Sequence, residues 1–307
     1  MDQIFFAGLV AAAFRLATPL VFAALGEAIS QRAGVLNVGI EGIMLVGAFA
    51  GAWGSAATGS PWLGLAVAIA AGAAAAAVHG LLCLHFRVDQ IVSGIALTVL
   101  GLGLSGYAYR LTLGSDRGVS IPSFARVDLG ALGELPVLGP MLFQHHVLVY
   151  VALALAPLLW WFVNRTGWGL AIRACGEEPA AAHAAGIDVL RVRWGCVLLG
   201  GALAGAGGAY LSIAQIGNFV EDMVAGRGFI AIACVVYGRW NPFGVLLAAL
   251  FFGAADAAQI RLQALNPDVP YQFFVMAPYV LAVGALVFVS RRSRLPAALG
   301  RPFTPPR

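Results

Sequence analysis

The chain has no lysine, and all 18 of its basic residues are arginine. Without lysine there is no Walker-A phosphate loop, no Schiff-base amine and no Ser-Lys dyad. If ATP drives this protein, another chain binds it. Charge of either sign is also scarce, at 10% of residues against 61% hydrophobic. A soluble domain needs about a quarter of its residues charged, so much of this surface must face lipid. The arginines are spread over short segments and the tail, which argues against a nucleic-acid stripe. Four cysteines, Cys83, Cys175, Cys196 and Cys234, form no CxxC pair and lie mostly in apolar runs. They read as small buried hydrophobes. The N-terminus MDQIFFAGLVAAAF lacks a basic n-region and stays apolar through Leu25, so no cleaved signal peptide is expected. No Ser/His/Asp or Cys/His set appears at a suggestive spacing, and His145-His146 has no third ligand nearby. GLGLSG (101–106) sits inside an apolar run without a βαβ setting. No catalytic residue, metal site or cofactor is expected.

What is present is a series of apolar runs near 4–25, 42–58, 62–85, 91–113, 147–163, 194–214, 224–238, 243–260 and 271–289. A span needs about 20 apolar residues, so some of these are short enough to be broken or tilted. Barrel strands alternate in polarity, and AVAIAAGAAAAAVHGLLCL does not. The fold class predicted is all-α: one polytopic transmembrane helix bundle over 1–307, with about nine spans. If the C-terminal tail is cytoplasmic, backward alternation puts Arg32, Arg87, Arg165, Arg173, Arg191, Arg193, Arg239 and the tail arginines inside. Arg110, Arg117, Arg126, Arg227 and Arg261 fall outside, in keeping with the positive-inside rule. An odd span count leaves the N-terminus outside, and a half-span at 26–41 would move it inside.

PWLGLAVAIAAGAAAA (61–76) echoes PFGVLLAALFFGAADA (242–257), with Pro61 to Gly72 and Pro242 to Gly253 equally spaced. On this topology the copies run in opposite directions, which predicts an inverted repeat with halves near 1–113 and 191–290. Gly47–Gly51 and Gly201–Gly205 are GxxxG pairs suited to close helix packing, within the subunit or between subunits. The polar stretch 114–146 reads as an extracytoplasmic loop, and RRSRLPAALGRPFTPPR as a disordered tail. Asp89 looks like a helix cap.

RACGEEPAAAHAAGID (173–188), within a coupling loop 164–190, reads as a short self-contained helix of about three turns. Glu177 or Glu178 would cap it, Pro179 sits in the first turn, and Gly186 would end it in a left-handed conformation. Gly176, Ala182 and Ala185 give it a small face that a partner's groove can approach. In GEAISQRAGVLNVGIEG (26–42), Glu27, Asn37 and Glu41 lie among glycines at membrane depth, as candidates for the pathway or a gate. A structural or gating role is favoured there over direct solute contact. In QIGNFVEDMVAGRGF (215–229), Asn218, Glu221 and Asp222 are candidates for contact with an outer-face partner, a solvated loop being the alternative. Asp256, a lone carboxylate in an apolar span, is placed facing the bundle interior.

GEAISQRAGVLNVGIEGIMLVGAFAG (26–51), RACGEEPAAAHAAGID and GRGFIAIACVVYGRWNPFGVLLAALFFG (226–253) resemble the permeases of ABC importers for simple sugars and nucleosides, relatives of those for branched-chain amino acids. The first stretch is most similar to the shorter permease of nucleoside-type systems. The resemblance implies that 173–188 is the coupling helix, which seats in a cytoplasmic ABC ATPase. It also implies a second permease subunit in a hetero-dimer, an extracytoplasmic solute-binding protein and a place in the inner (plasma) membrane. Glu178 stands where the family pattern often has Asn or Asp. The alternatives are a sugar permease, a stand-alone carrier or channel and, least favoured, an intramembrane enzyme.

Overall fold

The computed structural model describes residues 2–114, 119–127, 138–265 and 295–304, plus 130, 133, 135, 272, 276 and 280; for 2–5 and 265 it describes the backbone alone. The described residues are overwhelmingly helical, and β-pairing among them is confined to an isolated Arg126–His146 bridge. The helices are α1 (Asp2–Arg32), α2 (Ile40–Thr58), α3 (Pro61–Gly80), α4 (Gln90–Thr112), α5 (Val147–Arg165), α6 (Gly167–Glu177), α7 (Pro179–Ala184), α8 (Val189–Tyr210), α9 (Arg227–Tyr237) and α10 (Pro242–Leu265). A π-helical turn, Leu81–His85, extends α3, and another, Leu211–Ile216, extends α8.

Local chemistry sets many of these ends. Asp89 Oδ1 accepts the N–H groups of Ile91 (2.9 Å) and Val92 (3.0 Å), so it caps α4 as expected. Thr166 caps α6 through Gly169 N–H, and Asp188 caps α8 through Arg191 N–H. Pro61 and Pro179 occupy first turns, where their missing N–H costs nothing.

Among the described residues, seven helices are long and apolar enough to cross a membrane: α1 to α5, α8 and α10, with the π-helical turns continuing α3 and α8. The run expected at 224–238 is instead the 11-residue α9. At 1.5 Å per residue it spans about 16 Å, half a bilayer core. The run at 271–289 lies almost wholly outside the described residues. The 26–42 segment is divided between two helices and the turn that joins them. α1 continues through Arg32, a turn covers 33–39, and α2 begins at Ile40.

α1 and α8 pack together at the centre. α3 lies on α8, and α10 lies on α1; α2 packs on α3 and α8, and α9 on α1 and α10. Small residues let these backbones meet. A Cβ on Gly47 would stand 2.5 Å from Gly205 Cα, and one on Gly201 would collide with the Gly72 carbonyl oxygen and the Ala76 side chain. Both GxxxG pairs are therefore used inside the subunit, where dispersion and close backbone approach hold helices together in lipid. All four cysteines are buried, as the apolar runs implied.

Two ends of the bundle separate. One gathers Arg32, Gly34, Gly176, Arg193, Trp240 and the tail: Arg32 Nε donates to the Trp240 carbonyl, and Ala298 N–H to the Gly176 carbonyl. The other joins Ser55 to Pro122, Phe124 to Ile213 and Arg110 to Glu221. Arg32 and Arg193 thus share one end and Arg110 stands at the other. Gly8 packs on Arg261, which sets the N-terminal part of α1 beside a residue assigned outside.

The tail corrects an expectation. Residues 295–304 are docked, not disordered: Phe303 is 8% exposed and stacks edge-on with His183 at 5.7 Å. The cause is Arg193, whose wholly buried guanidinium donates to the carbonyls of Ala33 (3.0 Å), Arg301 (2.9 Å) and Cys175 (3.3 Å). A buried cation needs such acceptors, and the tail supplies one.

Candidate functional site

At the arginine-rich end, α7 stands between α6 and α8. It is shorter than expected, six residues rather than about three turns. Pro179 disfavours a helical Glu178 and so breaks the chain from α6, and Gly186 closes it. Gly186 adopts φ +86° and donates its N–H to the His183 carbonyl (2.9 Å), while Ile187 N–H reaches back to Ala182 (3.0 Å). The left-handed close is as predicted. The capping bond is not: Glu178 occupies the N-cap position without a side-chain bond to the helix. Glu177 ends α6, and its carboxylate accepts Ala297 N–H at 3.4 Å. Glu177, Glu178, Ala185 and Gly186 are exposed, Pro179 is half-buried, and Gly176 and Ala182 are buried. The last two shape the element from beneath rather than offering surface.

Deeper in the bundle Glu27, Gln31 and Asn37 form one network. Glu27 Oε1 accepts Gln31 Nε2–H and Asn37 N–H, both at 2.9 Å. Gln31 Oε1 accepts the indole N–H of Trp240 at 2.8 Å. The Gln31 amide orientation follows from these partners, since one is an acceptor and the other a donor. Asn37 Oδ1 accepts Gly39 N–H at 3.0 Å. The buried turn between α1 and α2 is held from outside as well. Gln90 Oε1 accepts Leu36 N–H (2.7 Å), and His79 Nε2 lies 3.1 Å from the Leu36 carbonyl. A carbonyl can only accept, so Nε2 carries the proton there. Glu27, Asn37 and Glu41 are all buried.

Glu41 does something different. Its Oε1 accepts Gly226 N–H at 2.7 Å and its Oε2 accepts Gly228 N–H at 2.6 Å. The carboxylate closes the N-terminus of α9, where unpaired N–H groups and the helix dipole favour negative charge. Asp256, on α10, is half-buried and within electrostatic range of Arg227 at that same helix start.

At the opposite end, Asn218, Glu221 and Asp222 are exposed. Glu221 takes a bidentate ion pair from Arg110, 2.8 and 2.9 Å. Those hydrogen bonds hold its carboxyl below the ordinary glutamate range. Burial lowers the pKa of both His145 and His146. Among the described residues no group of three or more His, Cys, Asp or Glu could hold a metal.

Sequence reasoning passed over three residues. Arg15 is half-buried in α1, in the field of Arg126 and Arg261. His79 pins the 33–39 turn and Arg193 clasps the tail. For Arg15 the signal was a charge within an apolar run. For the other two, burial and distant carbonyls decided the role.

Membrane-length helices built around buried carboxylates and a half-length helix define a multi-pass membrane protein. The chain belongs to the family described as branched-chain amino acid transport system / permease component, which matches residues 9–289. It is 43% identical to a putative glucose ABC transporter permease of Haloferax volcanii, over 87% of this chain and 82% of that one. It is 38% identical to a guanosine ABC transporter permease of Bacillus subtilis, over 96% of each. It is 33% identical to a nucleoside ABC transporter permease of Lactococcus lactis, over 92% of each. No solved structure matches it significantly. The chain is a transport subunit, not an enzyme.

Proposed function

We propose that this chain is one of two permease subunits, in a hetero-dimer, of an ATP-driven importer of nucleosides in the inner membrane. A cytoplasmic ABC ATPase docks on α7, and an extracytoplasmic binding protein delivers the solute near Asn218, Glu221 and Asp222. The observation that carries the docking is α7 itself. It is a short, exposed, glycine-closed helix at the arginine-rich end, where the positive-inside rule puts the cytoplasm. The nucleoside reading is supported by two relatives that align over nearly the whole chain. Sugars are the second reading, favoured by the relative of 43% identity.

The inverted repeat belongs to the same proposal. α3 rests on α8 as α10 rests on α1, and α2 rests on α8 as α9 rests on α1. Gly72 meets α8 while Gly253 meets α1. Exchanging α1 with α8, α2 with α9 and α3 with α10 maps these contacts onto one another. Glu27 and Asn37 serve the gate as structural members, because their polar atoms are satisfied internally. Glu41 positions α9. Asp256, half-exposed beside the start of α9, is the carboxylate best placed to meet solute.

The test is uptake into proteoliposomes with purified binding protein, with and without the ATPase. Nucleoside uptake that requires ATP is expected, and equal uptake without the ATPase would sink the reading. Orientation is checked separately with Ala185→Cys. The native cysteines are buried, so an impermeant thiol reagent should label this exposed position from the cytoplasmic side alone.

A further inference from the structure

Beneath the docking end lies a cavity of about 310 Å³ lined by Arg32, Arg173, Glu177, Arg239, Trp240 and Pro296. Its described lining carries three arginines and one glutamate, and Arg32, Arg173 and Glu177 lie within electrostatic range of one another. Arg173 repels Arg32 there, and Glu177 offsets part of the repulsion. Two of the guanidiniums are anchored in the fold. Arg32 anchors its Nε on the Trp240 carbonyl at 2.8 Å, and Arg173 directs its Nε to the Gly169 carbonyl at 3.4 Å.

The turn that brings in Arg239 is strained. Arg239 and Trp240 have φ +54° and +57°, left-handed values that L-residues rarely adopt. The fold holds this turn by tying the Trp240 indole to Gln31 and its carbonyl to Arg32. Strain that the surroundings over-determine concentrates at functional sites.

The depth of the cavity is also marked. α6, which carries Arg173 and Glu177, leaves Trp168 70% and Leu170 61% exposed. An amphipathic helix with bare aromatic and aliphatic side chains lies in the membrane interface. Basic pockets between helices at the cytoplasmic face suit phosphate head groups, and guanidinium forks match phosphate oxygens.

We propose that this cavity binds a phosphate group, with Arg32, Arg173 and Arg239 as its ligands and Glu177 as a built-in competitor. The phosphate comes from an anionic phospholipid of the inner leaflet or from a soluble phosphate. The experiment uses the full chain with its partner subunits. One arm measures phosphatidylglycerol retained by native mass spectrometry after exposure to mixed phosphatidylglycerol/phosphatidylcholine micelles. The other measures thermal stabilisation by inorganic phosphate. Removing one cation near the surface should weaken binding about fivefold. Arg173→Gln is therefore expected to lower affinity by about that factor, and Glu177→Gln to raise it. Arg239→Gln serves if Arg173→Gln fails to fold. A response in the lipid arm assigns a head group, and one in the phosphate arm alone assigns a soluble anion. Indifference of both arms to both substitutions overturns the proposal. So does loss of the ATPase subunit from the arginine variants with anion binding unchanged, since the cavity would then seat protein.

Discussion

Replacing Glu41 with glutamine tests the most specific contact in the bundle. The side chain keeps its size but loses its charge, and one of its two acceptors becomes a donor aimed at a backbone N–H. Both native bonds are short, 2.7 and 2.6 Å, and both run to a formal anion. A hydrogen bond to a charged group is worth about 1.5–3 kcal/mol. Losing one such bond is therefore expected to raise opening of the first turn of α9 by about 10- to 150-fold, with RT about 0.59 kcal/mol. The assay is hydrogen exchange of amides 226–230 in the detergent-solubilised complex. Glu41→Asp keeps the charge but is one carbon shorter, about 1.5 Å, and should fall between wild type and glutamine. Glu221→Gln, at an exposed pair, is the control that leaves these amides unchanged. If Glu41→Gln and Glu41→Asp both exchange within twofold of wild type, the cap does not hold α9 and the reasoning fails.

Three further outcomes are expected. Gly186→Pro forces φ from +86° to near −65° and removes the N–H that bonds His183; ATP-dependent uptake should be lost while membrane insertion persists, and full uptake would count against docking at α7. Truncation after residue 294 takes one carbonyl from the buried Arg193 guanidinium and should cost about 1.5–3 kcal/mol; an unchanged melting temperature would show that the clasp is idle. Because Arg110 depresses the Glu221 pKa, the Arg110–Glu221 ion pair is present above the ordinary glutamate value of 4.5 and is lost only as pH falls through the lower folded value; a spin label at Asn218→Cys should keep its mobility down to that pH, and loosening well above it would contradict the pairing.

What could be read from sequence was whatever neighbours in the chain decide. Asp89 caps a helix whose first N–H groups are two and three residues away. Gly186 terminates a helix by its own backbone freedom, and small residues four apart make a groove wherever they fall. The short α7 was also within reach, since only seven positions separate Pro179 from Gly186. Distant partners settled the rest. The helix within 224–238 begins only at Arg227, where Gly226 turns left-handed, and the group that receives that start is a carboxylate 185 residues away in α2. The tail looks unstructured by composition because the guanidinium that binds it sits in α8. The gate candidates at 26–41 were found because acidic groups in lipid must be satisfied. Which atoms satisfy them is partly local, Gln31 and Asn37 for Glu27, and partly distant, Gly226 and Gly228 for Glu41.

The geometry also narrows how a push on α7 could be transmitted. α7 packs on α6, on α8 and, through His183 and Phe303, on the tail. All three meet at Arg193, whose guanidinium bonds carbonyls at the end of α6, in the tail and at Ala33 just beyond α1. One residue earlier, Arg32 holds the Trp240 carbonyl, and the Trp240 indole holds Gln31. Trp240 closes the turn at the far end of α9, and Glu41 closes its near end. A displacement of α7 therefore meets packing, a ring contact and hydrogen bonds in turn before it reaches the Trp240 end of the half-length helix. Packed interiors move between discrete arrangements rather than deforming smoothly, and α9, at 11 residues, is short enough to shift without dragging a whole span. Its two fixed points, one carboxylate and one indole, are where such a shift would have to be released.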